Sequence, residues 1–266
     1  MIRNCIRSLW RRYVTFSRNH LNWAIAMPAQ LAERGPIRVH PAYFRHGLQK
    51  DDDFVFKTLA EAIRPGDTVF DIGANLGLTA LVASSRTGPQ GRVVAFEPSP
   101  PNLAMLHYHL QKNRAGNVTV EPSCVGSTTG TTEFSLINEG SHSSNSITFS
   151  RKAEVPFVGT ALQQVVVPVT TVDAYCAANG LTPQVIKIDV EGAELEVLFG
   201  AAETIRNARP VILMGVHPFW WPDDQPPGAI TELLNGLNYT TRTTQGAIAA
   251  PETYADFICE PQNCPT

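Results

Sequence analysis

Four polar residues stand where an apolar run stops: Asp71, Glu97, Asp189 and His217. The runs before them, TVF, RVVAF, VIKI and VILMGV, are short and rich in β-branched residues. Runs of that kind read as buried strands of a parallel sheet. In open α/β sheets, ligands bind outside the carboxyl ends of the strands. Three carboxylates and an imidazole at such ends can hold a polar ligand and manage a proton.

The loop after the first strand runs Asp71-Ile72-Gly73-Ala74-Asn75-Leu76-Gly77, and the helical stretch LTALVASS follows it. Glycine lets the backbone turn sharply and approach a ligand, and a helix N-terminus presents free N–H groups. Glu97 lies 26 residues after Asp71, where a carboxylate accepts hydrogen bonds from both hydroxyls of a ribose. The loop lacks the G-x-G-x-x-G spacing of a dinucleotide site. Asp71 is negative where a pyrophosphate needs donors, so it suits a cationic centre such as the sulfonium or ammonium of S-adenosylmethionine. The residues expected around that cofactor are Asp71, Gly73, Ala74, Asn75 and Gly77 of this loop, with Glu97 and Pro98 at the end of the second strand. The plainer alternative makes Asp71 a helix cap and Glu97 a surface acid.

Methyl transfer is a displacement at carbon, in which the protein positions the acceptor and manages its proton. Asp189 and His217 are the expected catalytic residues. His217 is a candidate base because imidazole titrates near neutral pH. Its plainer role is a neutral histidine at a strand end. Lys187 is expected to pair with Asp189 or Glu97 as a structural ion pair. Glu191 reads as an acid in the first turn of the next helix. Three acids near one cavity would suit a divalent metal, but they form no compact ligand set, so no metal is assigned. Trp220 and Trp221 read equally as acceptor-stacking rings and as packing for the N-terminal arm.

Three segments, VFDIGANLG, VVAFEPSP and IKIDVEGAE, together resemble the FkbM family of S-adenosylmethionine-dependent methyltransferases, over about residues 50 to 220. The resemblance implies an α/β class I methyltransferase fold: a Rossmann-like, mostly parallel seven-stranded sheet with helices on both faces. It implies transfer to oxygen, often a hydroxyl of a sugar or secondary metabolite. By matching motif, Asp71, Gly73, Asn75 and Gly77 would line the methionine part, and Glu97 would hold the ribose. Cys124, Val125 and Gly126 would lie along the adenine, and Asp189 with Glu191 would form the family's acidic pair. Gly215 departs from the pattern, because an acid often stands there, and this leaves the acceptor-activating group open.

The alternation along the chain is β-α-β-α-β, an insert, then α-β-α-β-α-β-β, which gives a sheet covered on both faces. The insert is a β-hairpin, with strands near 131–137 and 164–169 and a polar loop around 141–146. A helix is expected over 58–63, another over 171–179 closed by Gly180, and one continuous helix over 193–205. One domain spans residues 36–266, preceded by a basic arm, residues 1–35. The arm holds five arginines before its first acid, Glu33. It is expected to be helical, either packed on the domain or touching a membrane surface or acidic partner.

Composition bounds the rest. The chain has 266 residues, 43% hydrophobic and 17% charged, with a net charge of -3. That balance argues against a nucleic-acid partner, and the family resemblance implies a small-molecule or glycan acceptor. Five scattered cysteines read as reduced thiols in a cytoplasmic setting, with a Cys259–Cys264 disulfide as the minor alternative. No run reaches the ~18 apolar residues of a membrane span. Two other functions fit less of the sequence: a dinucleotide-dependent oxidoreductase, and an inactive binding module that uses the arm.

Overall fold

The computed structural model describes residues 25–26, 37–40, 52–137 and 162–262. Two short strands, β1 (Ile25–Ala26) and β2 (Arg38–Val39), pair antiparallel. Residues 25 and 26 are therefore extended where a helical arm was expected. The rest of that arm, the polar loop at 141–146, Cys5 and Cys264 lie outside the described residues.

α1 (Asp52–Ala62) begins earlier than expected and stops before Pro65 and Gly66. Then come β3 (Thr68–Ile72), α2 (Leu78–Thr87), β4 (Arg92–Phe96) and α3 (Pro100–Asn113). Two prolines open α3, at positions where a missing N–H costs nothing. β5 (Val118–Glu121) and β6 (Cys124–Val125) follow. The expected hairpin is β7 (Gly130–Ile137) and β8 (Leu162–Thr170), and it forms a separate three-stranded sheet with β6.

α4 (Val172–Asn179) is capped by Thr171, whose hydroxyl accepts from the Ala174 N–H at 3.0 Å, and ends at Gly180. After β9 (Val185–Ile188), the single helix expected over 193–205 is two, α5 (Glu194–Phe199) and α6 (Ala202–Ala208). The break falls at Gly200, which is pressed against the Gly126 carbonyl; a Cβ there would come within 2.0 Å of that oxygen. β10 (Val211–Val216), a 3₁₀ turn (Pro218–Trp220), α7 (Ala229–Gly236), β11 (Tyr239–Thr243) and β12 (Ala255–Pro261) complete the order.

Seven strands make the main sheet, in the order β11-β12-β10-β9-β3-β4-β5. The five from β10 to β5 run parallel, and β12 and β11 add antiparallel. Side chains alternate across the sheet. Phe70, Ile72, Ile186, Ile188, Ile212 and Met214 face one core, which Val197, Leu198, Ile205 and Ile230 cover. Val69, Val93, Ala95, Val185 and Leu213 face the other, under Leu59, Leu81 and Leu106. Burial on both faces explains why these strands read as continuous apolar runs. The chain leaves β3 towards β4 and β5, then returns to β9 on β3's other side. The strand order therefore reverses between β3 and β9, which is where such sheets bind ligands. Among the described residues, no helix is long and apolar enough to cross a membrane. Cys124, Cys176 and Cys259 are free thiols.

Candidate active site

Asp71 and Lys187 lie side by side on β3 and β9. The Lys187 ammonium is 3.3 Å from Asp71 Oδ1 and 3.6 Å from Asp189 Oδ2, and it donates to the Gly73 carbonyl at 2.8 Å. The Thr79 hydroxyl donates to Asp71 Oδ2 at 2.6 Å. Burial works to lower the Lys187 pKa, but the charges of Asp71 and Asp189 outweigh it and hold it above the ordinary lysine value. Asp71 is 1% exposed and lines neither of the two cavities that meet here. The expectation that it faces a cationic ligand is therefore corrected, since its countercharge is Lys187.

The first cavity opens at the carboxyl ends of β3, β4 and β9. Of the residues expected around a cofactor, Gly73, Asn75, Glu97, Pro98 and Val125 line it. Cys124 also lines it. Ala74 is turned to the second cavity, and Gly77 lies under Leu106 as the residue before α2. Gly126 is not in the cofactor wall either; its carbonyl packs on Gly200.

Gly73 has φ 77, and a Cβ there would sit 1.9 Å from the Asp189 carbonyl oxygen, so only glycine lets β3 and β9 close this corner. Asn75 also takes a positive φ, 51, which asparagine tolerates. Its Oδ1 is buried without a hydrogen-bond partner among the described residues. Glu97 is held firmly. Oε2 accepts from the Asn75 N–H at 2.8 Å, and Oε1 from the Ser99 N–H at 2.8 Å and Asn102 Nδ2 at 3.2 Å. Burial drives the Glu97 pKa up; these three donors and Lys187 pull it back, to about 7.

The second cavity is bordered by Asp189, Glu191, Gly215, His217, Trp220 and Asp256. It shares Gly73, Asn75, Asp189 and Glu191 with the first. His217 Nδ1 is 2.8 Å from Glu194 Oε1, and its Nε2 is 3.7 Å from Asp189 Oδ1 and 4.0 Å from Glu191 Oε2. Burial works against the imidazolium, but the Glu194 hydrogen bond and the charges of Asp189, Glu191 and Glu194 prevail and raise its pKa to about 9. In the free chain these charges favour the imidazolium, which works against His217 as a ready base. Glu191 is not in the following helix, which starts at Glu194; it sits in the loop at φ 53. Burial and the neighbouring Asp189 charge raise its pKa to about 7, against the pull of His217.

Gly215 lies between these groups. A Cβ there would meet His217 Cε1 at 3.1 Å, Asp256 Oδ1 at 3.4 Å and Asp189 Oδ1 at 3.5 Å. The carboxylate of Asp256 thus reaches the space over Gly215 from the adjacent strand, β12. Sequence reading missed Asp256, Glu194, Asn102, Ser123 and Phe134. Glu194 lies inside a motif the reading had singled out, and Asn102 opens a helix just after Glu97. Asp256 and Phe134 reach the site only through strand pairing, which leaves no local signal.

The fold and the placement of these residues define a class I methyltransferase. The family described as the methyltransferase FkbM domain matches residues 71–241. The chain is 27% identical over 208 residues to the hexuronic acid methyltransferase AglP of Haloferax volcanii, covering 72% of this chain and 71% of that one. It is 26% identical over 234 residues to the 31-O-demethyl-FK506 methyltransferase FkbM of Streptomyces tacrolimicus, covering 78% and 81%. A solved FkbM methyltransferase from Methylobacillus flagellatus aligns with TM-score 0.47 and 19% identity, over 77% of this chain and 50% of that one. The chain thus spans half the length of that structure. This chain belongs to the FkbM methyltransferase family.

Proposed function

We propose that the chain transfers a methyl group from S-adenosylmethionine to a hydroxyl oxygen of a sugar or secondary metabolite. One observation carries this reading: a cavity with a ribose-type carboxylate and a cavity with proton-handling groups share one wall, formed by Gly73, Asn75, Asp189 and Glu191. The residues fit the cofactor. Glu97 presents an oriented carboxylate for a ribose, and Asn75 Oδ1 offers a buried acceptor with no donor among the described residues. S-adenosylmethionine supplies the methyl group on a positively charged sulfur. The name of AglP, a hexuronic acid methyltransferase, supports a sugar-type acceptor, and that of FkbM, a 31-O-demethyl-FK506 methyltransferase, supports transfer to oxygen.

Asp189 is half exposed on the acceptor side, so its carboxylate accepts the hydrogen bond of an entering hydroxyl. Glu97 and Asn75 would hold S-adenosylmethionine, which would supply the methyl group to that hydroxyl's oxygen and keep the bonding pair on its sulfur. The hydroxyl proton passes to Asp189. His217 holds Asp189 in place, and Trp220 lines the acceptor side. The test is incubation of the full chain with S-adenosylmethionine and a panel of glycosides and polyketide alcohols. Release of S-adenosylhomocysteine, with a product heavier by one methylene, is expected. No binding of S-adenosylmethionine by calorimetry would remove the reading.

A further inference from the structure

We infer that Asp189, Glu191 and His217 form a binding site for one divalent transition-metal cation, of which Mn2+ is the working example. One ligand atom from each residue lies within 4.8 Å of the other two. Around a metal with bonds of about 2.1 Å, octahedral ligands stand roughly 3.0–4.2 Å apart. The separations of 3.7 Å and 4.0 Å from His217 Nε2 already fall in that range. The ligand atoms of Asp189 and Glu191 lie within 4.8 Å of each other. One imidazole with two carboxylates suits Mn2+, Fe2+ or Zn2+ better than the all-oxygen preference of Ca2+ or Mg2+.

The cluster is more than an acidic patch, for His217 is 8% exposed and its Nε2 faces both carboxylates, at 3.7 Å and 4.0 Å. Its other nitrogen is locked. Nδ1 faces Glu194 Oε1 at 2.8 Å, and a carboxylate only accepts, so Nδ1 carries the hydrogen and Nε2 is left with its lone pair when the ring is neutral. Glu194 is itself fully buried and fixed by the Gly192 N–H at 3.0 Å and by Trp221 Nε1 at 3.1 Å. A buried carboxylate behind a histidine is the support that metal-binding imidazoles use. The Asp189 carboxylate is divided in the same way. Oδ2 faces Lys187, and Oδ1 faces His217. The space over Gly215, bounded by Asp189, Asp256 and His217, leaves room for an oxygen of the acceptor or of water.

The ligands come from the ends of two strands, 28 residues apart in sequence, so no compact motif announced them and no metal was assigned from sequence. A cation at this junction lowers the pKa of a hydroxyl that it binds, which is the activation the acceptor needs. Cation binding stands apart from the identity of the acceptor, and it is read without turnover.

The test is titration of the chelator-treated full chain with Mn2+, followed by the electron spin resonance of free Mn2+. One saturable site per chain is expected. Asp189→Asn and His217→Gln should weaken it about tenfold or more, and Glu194→Gln by about 10–100-fold. Glu203→Gln, an exposed acid paired with Arg206 on α6, should bind as the parent does. Asp189→Asn alters a half-exposed side chain, so the fold survives it. Absence of a saturable site in the parent, or parental affinity in either Asp189→Asn or His217→Gln, overturns the proposal.

Discussion

Lys187 and Asp71 occupy paired positions on neighbouring parallel strands, with the ammonium 3.3 Å from Asp71 Oδ1 and both side chains buried. The acid at the end of the first strand therefore holds the sheet's switch point together rather than meeting the ligand. Removing one partner of a buried pair strands the other charge. Asp71→Asn should lower the unfolding free energy by about 3 kcal/mol in urea titration, with Asp189 still serving Lys187. Affinity for S-adenosylmethionine should change far less than stability. Loss of binding at parental stability would return Asp71 to the ligand.

Gly73 is the tightest point of the cofactor loop. A methyl group there would meet the Asp189 backbone oxygen at 1.9 Å, on a residue already at positive φ. Gly73→Ala should cost about 2–3 kcal/mol of stability and abolish measurable cofactor binding. Parental melting together with parental calorimetry would show that β3 and β9 can part without consequence.

Glu97 sets a pH dependence. Its pKa in the folded chain is about 7, above the ordinary 4.5, chiefly because of burial. The ionised form is the one that accepts from a ribose, so affinity for S-adenosylmethionine should rise with pH, about tenfold between pH 6 and pH 8. The stability linkage has the opposite sign. A carboxyl whose folded pKa is raised favours the fold most below its ordinary range, and that contribution is lost as pH rises to about 7. Calorimetry of the parent and of Glu97→Gln checks both; the variant should be weak and flat, and a flat parent would refute the assignment.

Gly215 separates the two cavities experimentally. In Gly215→Ala the added methyl group would stand 3.1 Å from His217 Cε1 and fill the space beside Asp256. Methyl transfer should fall about tenfold or more while S-adenosylmethionine binds as before. Cofactor affinity falling in step with turnover would mean that Gly215 supports the sheet rather than the acceptor.

The sequence disclosed what is local. Short β-branched runs, Gly73, Pro100-Pro101 and Gly180 each leave a signature in adjacent residues, so the alternation of strands and helices, the start of α3, the end of α4 and the strand-end acids were legible. Glu97 and Asp189 were placed at the site for the same reason. Direction was not legible. Asp71 sits at a strand end like Glu97, yet Lys187 on the neighbouring strand captures its charge, a fact of register between β3 and β9. Glu191 and Glu194 are three residues apart. Only the loop geometry decides that Glu191 faces both cavities while Glu194 turns under His217. Asp256 entered through antiparallel pairing across Gly215, and the break between α5 and α6 arose from a contact with Gly126 across the chain.

Among the described residues β12 comes last in sequence but not at the edge of the sheet; it lies between β10 and β11. It brings Asp256 to the acceptor side and plants Phe257 and Cys259 in the core. A ribosome extends the chain from its N-terminus, so β10 keeps an unpaired edge until residues 255–261 have emerged. The second cavity therefore acquires its far wall only once β12 has been made. A chain that stops short of β12 holds the residues of the first cavity without the wall that closes the second.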